Sequence, residues 1–117
     1  MDSIAIAITS APYGVEGTLG SLYLSFPILA KKMQLNVLLS GDGVFCAMKE
    51  QMSEAIEHPA ISELLRNAIL LGGRVYVEKE SCKKRGVKEA ELLQGVEVIE
   101  REKISQVLVG ADGNIVF

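Results

Sequence analysis

A chain of 117 residues has room for one hydrophobic core and no second one. With 49 % hydrophobic and 23 % charged residues it can pack, and it falls outside the disordered class. Twelve Lys and Arg against fifteen Asp and Glu leave a net charge of −3, without the basic footprint that nucleic acid demands, and three Phe, three Tyr and no Trp give no base-stacking platform.

In chain order, Ile4-Ala5-Ile6-Ala7-Ile8 is a continuous apolar run closed by Thr9-Ser10-Ala11-Pro12, the pattern of a strand buried on both faces of a parallel sheet. Leu19, Leu22, Phe26, Leu29, Ala30 and Met33 recur at three- and four-residue spacing and predict a helix, which Pro27 should kink. Leu35 to Ser40 reads as a second strand ending at Gly41-Asp42-Gly43, followed by a helix from Val44 to about Met52. After the Glu57-His58-Pro59 break, Ser62 is placed to cap a helix containing Leu64, Leu65, Ala68, Ile69 and Leu71, which Gly72-Gly73 stops. Arg74 to Val77 is a third strand, and a short charged helix holds Cys82-Lys83-Lys84-Arg85-Gly86. Val96 to Ile99 is a fourth strand, Ile104, Val107 and Leu108 mark a last helix, and Asn114 to Phe117 is a terminal strand. That strand could instead pair with Gln106–Val109 as a hairpin, since Asp112-Gly113 is a hairpin signal.

This βαβα succession implies an α/β protein, a single three-layer α/β/α domain with a mostly parallel sheet. A mean hydropathy of +0.28 is high for a small monomer, and it predicts that part of the apolar surface lies in a subunit interface. The N-terminus lacks the basic region of a signal peptide, and no uncharged stretch reaches the roughly 20 residues of a membrane span. The chain therefore reads as soluble and cytoplasmic, without a membrane or nucleic-acid partner. Two cysteines make no disulfide scaffold, and one histidine with no CxxC pair anchors no metal cluster. His58, beside Pro59, reads as a solvated loop residue.

Ligands of open α/β sheets bind beyond the carboxyl ends of the strands, where three loops converge. The first, Ser10 to Thr18, opens a helix and could hold an anion, yet it has neither a Walker A lysine nor GxGxxG. The second is Gly41-Asp42-Gly43, in which Asp42 is either a polar site group or a turn residue. The third, Glu78 to Cys82, places Cys82 before Lys83, Lys84 and Arg85, cations that favour a thiolate, while Glu78 and Glu80 oppose it. Cys82 is thus a reactive thiol or a packing residue, whereas Cys46, between Phe45 and Ala47, reads as core.

Several of these features together resemble the DsrE/DsrF/TusD-like sulfur-relay family over essentially the full length. They are the apolar first strand leading into Thr9-Ser10-Ala11-Pro12-Tyr13-Gly14, the second strand running into Asp42-Gly43-Val44, the strand Gly73-Arg74-Val75-Tyr76-Val77, the signature Arg85-Gly86-Val87, and the ending Asp112 to Phe117. The resemblance implies a five-stranded sheet, assembly into homo- or hetero-oligomers, and a cysteine after the third strand that passes persulfide sulfur from a donor to an acceptor protein, with no metal or organic cofactor. Counting back from Arg85-Gly86, the position of that cysteine falls on Glu78, one helical turn before Cys82. Cys82 is then the candidate sulfur carrier, in a pocket of Ser10, Pro12, Tyr13, Gly14, Asp42, Gly43, Glu78 and Arg85. The alternative is a non-catalytic structural or regulatory subunit of the same fold. A third reading is a small anion- or nucleotide-binding module built on the first loop.

Overall fold

In a computed structural model of the chain, residues 2–9, 16–48 and 61–117 are described, the side chains of 16–22 excepted. Five strands form one sheet: β1 (Ser3–Ile8), β2 (Gln34–Leu39), β3 (Arg74–Glu78), β4 (Glu97–Ile99) and β5 (Gly113–Val116). Their order is β4-β3-β2-β1-β5 and every neighbouring pair is parallel. The helices are α1 (Glu16–Ala30), α2 (Ile61–Leu70), α3 (Lys79–Lys84) and α4 (Arg101–Gly110), with a 3-10 segment over Gly41–Ala47.

The strands are apolar on both faces because both are covered. Ile6 and Ile8 of β1, Leu35, Val37 and Leu39 of β2, and Val75 and Val77 of β3 pack in one core with Leu64 and Leu65 of α2 and with Phe26 and Leu29 of α1. The alternate residues Ala5, Ala7, Leu38 and Ile99 meet Ile104 of α4 on the other face. This arrangement is the α/β/α sandwich expected from the sequence. It also explains why β1 reads as an uninterrupted apolar run rather than an alternating one.

Three local expectations are corrected. The segment after β2 is not an α-helix starting at Val44 but a 3-10 segment starting at Gly41, and the rest of the predicted stretch, 49–52, lies outside the described residues. Ser62 does not cap α2; it is buried inside the helix as its second residue. The hairpin alternative also fails, because Gln106–Val109 belongs to α4 and β5 pairs in parallel with β1. Pro27 stands inside α1, which runs on past it, and the Lys31 N–H donates to the Pro27 carbonyl. His58 lies outside the described residues.

Candidate functional site

Because all five strands run the same way, β1 to β4 deliver the residues that follow them to one edge of the sheet. Glu78, the last residue of β3, is only 6 % exposed there. Its Oε1 accepts a 2.5 Å hydrogen bond from the Ser81 hydroxyl and lies 3.3 Å from Nη2 of Arg101, the first residue of α4. The Ser81 oxygen in turn accepts the Gly41 N–H at 2.9 Å. Gly41 sits at φ +55°, a left-handed conformation that a residue without Cβ adopts freely, and this presents its N–H to Ser81. A chain of charge-assisted and neutral hydrogen bonds thus ties the ends of β2, β3 and β4 together.

Two further carboxylates border this chain. Arg85 donates from Nε to Asp42 Oδ1 at 2.9 Å and from Nη1 to the Ser81 carbonyl at 3.3 Å, clamping the 3-10 segment to α3. With Asp42 largely exposed, that pair contributes at most about 1 kcal/mol. Glu80 accepts the Arg101 backbone N–H with both oxygens, at 3.1 and 3.3 Å. That bond at the N-terminus of α4 is the main reason its carboxyl titrates below the ordinary value.

Cys82 is 6 % exposed and belongs to the main core cluster with Val87, Leu92 and Leu93. Burial raises its thiol above the ordinary 9.0; the Arg85 charge pulls it down, and Glu78 and Glu89 push it back up. The opposing influences found in the sequence therefore resolve toward the neutral thiol, with desolvation outweighing the cations. Cys46 is fully buried, as expected of a core residue, and its thiol is pushed up to about 12.

Of the sequence-predicted residues, the structure brings Asp42, Gly43, Glu78, Cys82 and Arg85 to this edge. Ser10, Pro12, Tyr13 and Gly14 lie outside the described residues. Gly43 is required by a close approach: a Cβ there would overlap the Ile8 carbonyl oxygen and lie 2.8 Å from its carbon. Thr9, at the end of β1, donates from Oγ1 to the Phe117 carbonyl at 2.8 Å, next to the point where the strand order reverses. Sequence reasoning named Glu80 only as a charge near Cys82, held Ser81 in the third loop without a role, and missed Arg101. Ser81 carried a signal in its spacing three residues after Glu78; Arg101, 23 residues away, carried none.

Beside Arg101 a cleft of about 560 Å³ opens between Lys79, the end of β4 and the exposed side of α4. Its charged groups are mixed, Lys79 and Lys103 against Glu100 and Glu102, so it favours neither ion sign. Among the described residues no three His, Cys, Asp or Glu side chains converge as a metal site, and no helix is long and apolar enough to cross a membrane.

Comparison with known proteins places this geometry. Residues 2–117 match the model of the DsrE/DsrF-like family. The chain is 34 % identical over 112 residues to the uncharacterized protein MJ0989 of Methanocaldococcus jannaschii, covering 96 % of each. It is 29 % identical to the uncharacterized protein MK0008 of Methanopyrus kandleri, over 100 % of this chain and 94 % of that one. Among solved structures it is similar to the ychN protein of E. coli, with a TM-score of 0.90 at 26 % identity and full coverage of both chains. It shares the fold of protein MTH1491 of Methanobacterium thermoautotrophicum, with a TM-score of 0.72 at 16 % identity and full coverage of both.

Proposed function

The chain belongs to the DsrE/DsrF-like family, and from that premise we propose that it acts in cytoplasmic sulfur metabolism as a non-catalytic, partner-binding subunit of the family's fold. One observation carries this reading. The strand-end position at which the family resemblance expects a sulfur-carrying thiol is held by Glu78, and its carboxylate is already engaged by Ser81 and Arg101. Relay requires a thiolate to attack the sulfane sulfur of a donor persulfide, forming a new persulfide and expelling the donor thiolate. Cys82 is poorly suited to this step, since the residue is buried and its neutral form is favoured. The charge of Arg85, which lowers the Cys82 thiol, favours relay through Cys82 as the second reading.

Incubation of the native protein with a low-molecular-weight persulfide, followed by mass spectrometry, separates the two readings. The subunit reading expects no sulfur on Cys46 or Cys82. Sulfur on wild-type Cys82 that passes to an acceptor thiol, and disappears in Cys82→Ala, would overturn it.

A further inference from the structure

The cleft beside Arg101 holds charges that the fold does not use. It lies at the carboxyl end of β4, the side on which open α/β sheets bind ligands. Its volume of about 560 Å³ falls within the roughly 300–1,000 Å³ of small-molecule sites. Lys79 comes from the start of α3, Glu100 from the residue after β4, and Glu102 and Lys103 from the first turn of α4. Gln106 extends the α4 wall by one turn, and Val98 and Ile99 supply the apolar part of the lining.

These charges do not satisfy one another. Among the described residues the ion pairs are Arg85 with Asp42 and Arg101 with Glu78, so neither lysine of the cleft is paired with either glutamate. Lys103 follows Glu100 by three residues, a spacing that permits a side-chain pair, and none forms. Both lysines stand in the first turn of a helix, where the dipole favours anions, so neither charge serves its own helix. Arg101 is turned to Glu78, and its backbone N–H is taken by Glu80, so the N-terminus of α4 is closed by the protein's own carboxylate. What remains is a lining of two cations and two anions around an apolar floor.

We propose that this cleft binds a small zwitterion with a free ammonium, a free carboxylate and an apolar side chain, the chemistry of an amino acid or short peptide. Lys79 and Lys103 hold the carboxylate, and Glu100 and Glu102 hold the ammonium. The Gln106 amide offers a donor and an acceptor to the polar atoms between them, and Val98 and Ile99 take the apolar side chain. A zwitterion answers both charge signs at once, whereas a metal ion or a phosphate would bring its charge against two like charges. The charged groups are open to water, so each contact is weak and selectivity comes from the need for both ends. The site adds a small ligand to the subunit reading without resting on it.

Titration of the isotope-labelled native protein with leucyl-leucine, followed through its amide NMR signals, tests it. Saturable shifts are expected at Lys79 and from Val98 to Gln106. Blocking the peptide's ammonium by acetylation, or its carboxylate as the amide, weakens binding about fivefold in each case. Lys103→Gln weakens binding of the free peptide by a similar factor and leaves the amide unaffected. Glu102→Gln weakens the free peptide and leaves the acetylated one unaffected; both positions are exposed, and an unchanged Tm verifies the fold. Leucine that binds at least as tightly as the peptide assigns the site to free amino acids, and weaker binding assigns it to peptides. No saturable shift at millimolar ligand, blocked peptides that bind as well as the free one, or variants without effect overturn the proposal. Transferable sulfur on Cys82 would instead overturn the subunit reading and leave this site standing.

Discussion

Replacing Gly43 with alanine tests whether the edge that carries the candidate site is built on a backbone contact. The added Cβ would overlap the Ile8 carbonyl oxygen and lie 2.8 Å from the Ile8 carbon and 3.4 Å from the Thr9 Cα. None of these is the far end of a flexible side chain, so the 3-10 segment and the end of β1 must separate. The Ile8 carbonyl accepts the Ser40 N–H at 3.1 Å, and the Ser40 carbonyl accepts the Gly43 N–H at 2.9 Å. Separation strains or breaks both. Overpacking costs about 1–3 kcal/mol, and a buried backbone group left unpaired adds about 1–3 kcal/mol, so the expected loss is about 2–6 kcal/mol. For a domain of this size about 1 kcal/mol corresponds to roughly 4 °C, giving a fall in Tm of roughly 8–24 °C by calorimetry or circular dichroism. Gly110→Ala is the control: the last residue of α4 has open space around it, and its substitution should be neutral or stabilising by up to about 1 kcal/mol. A Gly43→Ala loss under about 1 kcal/mol would refute the close-approach reasoning.

The two thiols should be nearly inert toward a disulfide reagent in the native state and both reactive in denaturant. With Cys46 pushed up to about 12 from an ordinary 9.0, its thiolate fraction at mild pH is about a thousandfold below that of a free cysteine, so Cys82 reacts first. Fast native labelling of Cys46 would contradict the core packing. The carboxyl of Asp112, held below its ordinary 3.8 mainly by the Asp2 and Ser3 N–H groups, contributes stability above its unfolded-state value. That contribution is lost as pH falls through the folded-state value. The Tm difference between wild type and Asp112→Ala should therefore be constant from neutral pH to about pH 5 and narrow below about pH 4. A difference that widened in acid would refute the assignment.

What the sequence revealed and what it hid follow from the range of the forces involved. β1, β2 and β3 were legible because burial on both faces leaves an uninterrupted apolar run of the right length. The 3-10 segment was misread because Val44-Phe45-Cys46-Ala47 is apolar enough for an α-helix. Its tighter winding accompanies the approach of Gly43 to Ile8, a contact between residues 35 positions apart. Ser62 carried the chemistry of a cap, yet tertiary burial placed it inside α2. For β5, local turn chemistry permitted a hairpin, and the open side of β1 decided otherwise. At the site, the position of Glu78 was readable from its distance to Arg85-Gly86, whereas Arg101 reaches it only because β4 ends beside β3. Cys82 shows the same limit: its cationic neighbours are written in the sequence, and the burial that outweighs them is not.

A carboxylate at the end of β3 changes what this edge can do, beyond the absence of a sulfur there. A relay thiol must be exposed, mobile enough to meet two partners and free of competing bonds. Glu78 is the reverse, a buried side chain held by the Ser81 hydroxyl and the Arg101 guanidinium. The network therefore resists opening, and it fixes the spacing of three strand ends that a reactive site would need to leave accessible. In this chain the polar strand-end cluster ties the ends of β2, β3 and β4 into one scaffold.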